Sequence, residues 1–401
     1  MAASNHAPEL KVEKFVTPVN LKTATWALMG IGLITFIIGI LRAPERLWPA
    51  YLTAFFYFSC LGLGGLFFVS IQHISKAGWS TSIRRYSEAM TSFIPFILVG
   101  GLVMLFGMKI LFPWANPEVL ESNPIVAAKT GYLNIGFFVA RLILFCAGWF
   151  AFKWVIVGNS LKQDQNGDES LTHKNVGLSI GFILFFAISF TLFSMDLMMS
   201  LLPTWYSTIF GVYTFSGLFQ SSLAVLALII IFMRRAGFVK GYVTVEHQHD
   251  VVKFMKGFTV FWAYIAFSQF MLIWYANIPE ETEYYLMRSQ NGGWMGISMA
   301  LLVFRFIIPF LALLPRNLKR NDNHVILIAI VILIMQYVDI YWMVYPNFFH
   351  GHVTFGFMEI GIFAGFAGLF LYGLTKFFQQ HNIVAIKDPR LHEAISHHVT
   401  Y

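Results

Sequence analysis

The stretch HVILIAIVILIMQYVDIYWMVY, residues 324–345, holds one acidic side chain, Asp339, in an otherwise uncharged run. A helix needs ~20 mainly apolar residues to cross the hydrocarbon core of a bilayer. The run therefore predicts a membrane span with a carboxylate inside it. Nine further stretches meet the same requirement: 24–41, 51–72, 91–112, 131–157, 176–202, 209–233, 254–276, 293–314 and 354–377. Composition agrees, since 57% of the 401 residues are apolar and 12% charged. Soluble domains carry ~25% charge, so a soluble globule and a disordered chain are both excluded. The expectation is an all-α integral membrane protein with ten transmembrane helices. Residues 1–20 lack the pattern of a cleavable signal peptide.

The net charge of +7 is a topology signal. Twenty Lys and Arg fall in one set of loops and tails and five in the alternate loops, with Arg141 and Arg305 inside spans. By the positive-inside rule both termini of this multi-pass chain lie in the cytoplasm. Its partners include membrane lipids and no nucleic acid. Two cysteines, Cys60 and Cys146, cannot supply the four thiolates of an iron–sulfur cluster.

Spans 2–5 align weakly with spans 6–9. Phe58-Ser59 matches Phe215-Ser216, Lys76-Ala77-Gly78-Trp79 matches Arg235-Ala236-Gly237-Phe238, Arg141 matches Arg305, and Asp196 matches Asp339. Each Asp precedes a proline by seven residues, Pro203 and Pro346. Matches in the same order on equivalent spans predict two repeated four-helix bundles related by an axis along the membrane normal. The chain then divides into a cytoplasmic N-terminal segment (1–23), a first peripheral span and outer loop (24–50), a first bundle (51–202), a second bundle (203–345), a last peripheral span (346–377) and a cytoplasmic tail on the membrane surface (378–401). Gly62, Gly64 and Gly65 in span 2 read as close helix packing.

Charges near mid-bilayer cost at least ~2.5–3.5 kcal/mol on insertion scales, which makes them functional candidates. Five qualify: Arg141, Asp196, Arg305, Asp339 and Glu359. At 1.5 Å per residue the two Asp lie ~10 Å below the outer face and the two Arg ~14–16 Å, close enough to pair within each bundle. The plain reading is that such pairs only lock the bundles. Two bases against three acids leave one carboxylate, Glu359 or Asp339, without a buried partner, and a desolvated carboxylate can carry a proton. Asp339 and Glu359 are expected to approach within one or two waters. His73, Glu88 and His324 at the inner ends complete a candidate proton path, and Tyr264, Ser268, Gln269 and Tyr275 of span 7 could extend it. No Walker loop, dinucleotide fingerprint, zinc spacing or nucleophile elbow is present, and no two histidines face each other at mid-depth for a haem. The outer loops 113–130 and 277–292 are acidic, with Glu118, Glu121, Glu280, Glu281 and Glu283, as a docking face for a partner outside the membrane would be.

Two strings carry a resemblance. Asn277-Ile278-Pro279-Glu280-Glu281-Thr282-Glu283-Tyr284-Tyr285, preceded by Trp274-Tyr275, looks like the F subunit of bacterial alternative complex III. So does Trp205-Tyr206-Ser207-Thr208-Ile209-Phe210-Gly211-Val212-Tyr213. The resemblance covers most of the spanning region. More broadly the chain is similar to the polysulfide-reductase-like (NrfD-like) membrane subunits, and Lys387-Asp388-Pro389-Arg390-Leu391 resembles the end of the related C subunit. The resemblance implies a respiratory complex that oxidises a quinol such as menaquinol and passes electrons to cytochrome c or a terminal oxidase. It implies haem c and iron–sulfur clusters in partner subunits, quinone in the related C subunit, no cofactor in this chain, and a proton route through it. A stand-alone proton-coupled secondary transporter and a purely structural subunit are the competing readings.

Overall fold

A computed structural model describes residues 14–290, 293–349 and 351–398. The first part of the N-terminal segment (1–13), residues 291–292 of the acidic loop, residue 350 and the end of the tail (399–401) lie outside them. The described residues form a multi-pass helical membrane protein without strands. Ten helices are long and apolar enough to cross a membrane: span 1 Val19–Arg42, span 2 Pro44–Ile74, span 3 Gly78–Leu111, span 4 Ile135–Asn166, span 5 Ser170–Leu201, span 6 Phe210–Arg235, span 7 Val245–Ala276, span 8 Trp294–Ala312, span 9 Asp322–Asn347 and span 10 Phe357–Gln380. Several outrun their apolar stretches because a helix can continue into the polar boundary. Span 7 begins at Val245, where the Thr244 hydroxyl accepts the Glu246 N–H and caps the first turn.

The helices arrange around spans 2 and 6. The apolar cores of these two are 89% and 78% buried within the protein, against 22% for span 1 and 17% for span 8. Spans 2, 3, 4 and 5 touch in a ring, 2–3, 3–4, 4–5 and 5–2, and spans 6, 7, 8 and 9 touch in the same cyclic order. Span 2 meets span 6 between the rings, where a Cβ on Gly64 would fall 1.9 Å from the Ser222 hydroxyl. Gly65 likewise admits the Ser87 carbonyl and Met90. Small residues set this backbone approach because apolar helices in lipid associate through packing.

Spans 1 and 10 form a separate pair outside the rings, and span 10 packs on span 2. Their contact is backbone on backbone: a Cβ on Gly32 would lie 2.2 Å from the Gly365 Cα. Gly365→Leu is expected to pry span 1 away while leaving the rings folded. Cysteine pairs placed across spans 1 and 10 should lose their cross-linking, and cross-linking at wild-type yield would refute this packing account.

Span 8 contains a π-helical segment, Leu301–Ile307, immediately before Pro309. Proline cannot donate to the carbonyl four residues earlier, that of Arg305, and its ring crowds that carbonyl. The ladder widens there, and such π segments are frequent at functional sites. The tail, expected on the membrane surface, instead folds back under the end of the helices that carries most of the Lys and Arg. Ile383, Val384 and Ala385 are buried, as is Asp388. That short apolar run supplies a contact face that the polar composition of the tail conceals.

Candidate functional site

A charge among apolar helices persists only with a counter-charge or a full set of hydrogen bonds. In the first ring Arg141 has both. Its Nε and Nη2 donate to the two oxygens of Asp196 at 2.8 and 2.9 Å, and Nη1 donates to the Tyr132 carbonyl at 3.0 Å. The guanidinium also stands 3.8 Å from the Tyr132 ring centre and 4.3 Å from that of Phe137. A bidentate fork capped by aromatics holds both partners in one arrangement. This pair is built as a lock.

The second ring holds its pair differently. Arg305 lies on the π segment and is fully buried. Its Nη1 reaches Asp339 Oδ2 at 3.0 Å and the Met335 carbonyl at 3.1 Å, and its Nη2 donates to Gln336 Oε1. The Arg305 Nε has no hydrogen-bond partner, and the guanidinium carbon sits 4.5 Å from the Trp262 ring centre. Gly217 of span 6 makes room for this head, since a Cβ there would lie 2.7 Å from Arg305 Nη2. Asp339 thus offers only one oxygen to the cation. The other accepts a hydrogen bond from the Tyr213 hydroxyl. A carboxylate joined to a phenol can exchange a proton along that bond, a capacity that the closed Arg141–Asp196 fork lacks.

The two strings that carry the resemblance meet just beyond this triad. The rings of Trp205 and Tyr284 stack with centroids 4.0 Å apart and planes at 13°, and Trp205 Nε1 donates to the Glu281 carbonyl at 3.1 Å. Buried Arg288 fastens the same layer. It donates to the carbonyls of Trp342, Tyr284 and Met343 at 3.0, 2.7 and 2.8 Å, with the Tyr284 ring 3.5 Å from its guanidinium. Burial pulls the Arg288 guanidinium down from its ordinary value, against the neighbouring tyrosines Tyr284 and Tyr285. The string 205–213 also contributes Tyr213 itself, so one continuous arrangement links outer loop and intramembrane acid.

Glu359 corrects the sequence reading. It is neither unpaired nor partnered with Asp339. Arg46 Nε and Nη2 donate to its two oxygens at 2.9 and 2.7 Å, the Tyr345 hydroxyl donates at 2.8 Å, and the Gly356 N–H at 2.7 Å. The charge count failed because Arg46 was assigned to an outer loop. The chain turns at Ala43, and span 2 begins at Pro44, so Arg46 occupies the first turn beside the start of span 10. Glu359 is an N-terminal cap of span 10, where a carboxylate suits the orphan N–H groups. Glu359→Gln is expected to lower stability by ~1–3 kcal/mol through loss of charge-assisted hydrogen bonds. A variant as stable as the wild type would show that the start of span 10 is held without these bonds.

At the basic end, Glu88 and His73 are both buried on the packed spans 2 and 3, and His324 stands apart. Glu88 is fully buried and accepts from Arg85 Nη1 and Ser160 Oγ, each at 2.8 Å. Arg85 Nη2 reaches Asp164 at 2.8 Å, and Arg84 Nη2 reaches Asp388 of the tail at 2.5 Å. Burial would raise the Asp388 carboxyl, but Arg84 outweighs it and holds that group below the usual carboxylate range. Both ring nitrogens of buried His73 lack partners, as do the hydroxyls of Ser70, Thr81, Ser82, Tyr86 and Ser87. Buried polar atoms in such number call for internal water. His324 begins span 9, with Nε2 2.9 Å from the Ala312 carbonyl.

Of the polar residues of span 7, Tyr264 and Tyr275 face outward, 64% and 84% exposed. Ser268 is half-buried, and Gln269 turns inward, donating to Ser207 Oγ at 3.1 Å. Tyr213, Trp262, Gln336 and Arg288 are the site residues that sequence reasoning passed over. Pro309, an interior proline next to Arg305, was the signal that could have singled out span 8. No protein-family model matches this chain, and no curated protein matches it.

Proposed function

We propose that this protein is an integral membrane subunit of a respiratory quinol-oxidising complex and contributes an intramembrane proton-handling site to it. The observation that carries the reading is the convergence of Trp205–Tyr213 and the 277–285 loop over the Arg305–Asp339–Tyr213 triad. Both strings resemble the F subunit of alternative complex III, and their union over a buried acid supports treating loop and acid as one unit. In this reading Asp339 and Tyr213 hold and pass the proton, and Arg305 fixes the carboxylate. The water-requiring region around Glu88 and His73 supplies access at the basic end. The Arg141–Asp196 pair serves as the static counterpart in the first ring. One ion pair per ring, in the same cyclic packing, supports two copies of one four-helix unit. Partner subunits would carry haem c and iron–sulfur clusters, and the exposed Glu280 and Glu283 would face them.

The test is the composition of the gently solubilised native assembly. Haem c and iron copurifying stoichiometrically with a tagged chain are expected. A chain that purifies without either, yet moves a solute against a proton gradient, would replace this reading with the transporter. Within the assembly, Asp339→Asn should reduce protons released per quinol oxidised, and unchanged stoichiometry would leave the triad a structural device.

A further inference from the structure

Toward its basic end, span 7 carries a row of phenylalanines at helical spacing, Phe254, Phe258 and Phe261. They line a hollow of about 610 Å³, floored by Phe215 of span 6 and capped by Trp79. That volume lies well inside the ~300–1,000 Å³ of small-molecule sites. Phe215 packs on Phe258 with ring centroids 6.2 Å apart, and Trp79 stacks on Phe254 at 6.2 Å with planes at 15°. Gly257 opens the space between, since a Cβ there would meet no atom within 4 Å.

The end at Trp79 lies at the edge of the bilayer, a level at which tryptophan is a common anchor. The apolar stretch of span 7 begins at residue 254, and Asp250 and Lys253, which complete the lining, stand within about one turn before it. From Asp250 to Phe261 the helix rises about 16 Å, roughly half of the ~30 Å hydrocarbon core. The hollow is one leaflet deep. Asp250 is 7% exposed, and its Oδ1 lies 2.6 Å from Lys253 Nζ yet accepts no hydrogen bond. Its Oδ2 meets His397 Nε2 of the tail at 2.6 Å. Lys253 reaches outward, with 42% of its side chain exposed. The mouth thus presents a carboxylate oxygen open to a donor and a cation beside it, both at headgroup level.

We propose that this hollow binds a phosphatidylethanolamine from the leaflet on the basic side, with an acyl chain along the phenylalanine row and the headgroup over Asp250 and Lys253. Charge and depth select the occupant. The phosphate is the counter-charge for Lys253, and the primary ammonium brings N–H donors for Asp250 Oδ1, a charge-assisted hydrogen bond. An anionic lipid without an amine adds a second negative charge beside Asp250. A choline headgroup has no N–H to donate. The chain in turn gives the walls of the hollow the contacts that an empty space denies them.

This inference needs the chain to be membrane-embedded but not the assembly proposed above. It is tested on the delipidated full-length chain in detergent by native mass spectrometry, titrated separately with palmitoyl-oleoyl phosphatidylethanolamine, phosphatidylglycerol and phosphatidylcholine. The wild type and Leu33→Phe, which adds bulk on the exposed face of span 1, should bind one phosphatidylethanolamine tightly. Its half-saturating concentration should lie about tenfold or more below those of the other two lipids, the worth of one hydrogen bond to a charged group. Gly257→Leu fills the hollow with a better helix former and should abolish the tight binding. Asp250→Asn should bind the three lipids alike. His397→Ala breaks the same tail contact while leaving the carboxylate, and it should keep the preference, which separates headgroup recognition from tail docking. Equal binding of the three lipids by the wild type, or a preference for phosphatidylglycerol, would overturn the proposal. So would tight binding undiminished in Gly257→Leu, or a preference undiminished in Asp250→Asn.

Discussion

Arg305→Met should be among the most destabilising single substitutions in this protein, by about 3–5 kcal/mol, because it strands Asp339 without a cation. Asp339 is 2% exposed and its remaining partner is a phenol, so the charge can be discharged only by taking up a proton. Asp339→Leu strands Arg305 with Gln336 and the Met335 carbonyl and should cost a similar amount. The double variant Arg305→Met/Asp339→Leu should recover most of the loss, since apolar residues of like volume replace buried ion pairs at little cost. Reversible unfolding in mixed micelles measures all three. A double variant as unstable as the sum of the singles would show that the two side chains do not act as a pair. The same double variant is the sharper functional tool, because it keeps the ring packed while removing the titratable group. Loss of proton release in a stable double variant would assign the chemistry to the triad.

The second large effect is expected at the tail. Arg84 and Asp388 are both buried, and their contact ties the C-terminal segment to the start of span 3. Asp388→Ala leaves Arg84 with only the 3.6 Å approach to Glu88. Loss of one partner of a buried pair costs about 3–5 kcal/mol, which amounts to a roughly hundred- to several-thousandfold rise in the fraction of undocked tail. Limited proteolysis after residue 380 reports that fraction, and unchanged cleavage would show that Ile383–Ala385 hold the tail unaided. The pH dependence has a definite sign. Because the folded carboxyl lies below its ordinary value, its contribution is present in full above the usual carboxylate range and lost only as pH falls through the lower folded value. The contribution of this ion pair to docking should therefore persist at pH 5 and vanish in stronger acid. Its loss already near pH 6 would place the controlling group elsewhere, with half-buried His381 one candidate in the segment.

Function and site were legible to different degrees. The pairing of Arg141 with Asp196, and of Arg305 with Asp339, follows from burial cost together with helical depth, and both pairs form. Glu359 shows where that reasoning stops. Counting bases inside the spans presumes known span ends, and a helix that begins about two turns earlier moved Arg46 from loop to partner. The buried cluster of Arg84, Arg85, Glu88 and Asp164 was hidden in the same way, because its members read as loop or loop-edge charges.

The sequence by itself determined that this chain is a ten-helix membrane protein, because length and apolarity alone decide whether a segment can leave water. It also determined which charges must find partners, because taking a charge out of water is costly wherever the helices place it. Only the tertiary structure decided which partner each takes and how tightly. Arg141 closes on Asp196 with two bonds and two rings, whereas Arg305, displaced on a π turn by Pro309, leaves Asp339 an oxygen for Tyr213. That difference arises from helix geometry and from the room made by Gly217 on another span. The room made by Gly217 is not a property of local sequence, because only the packing of several helices brings that glycine beside Arg305.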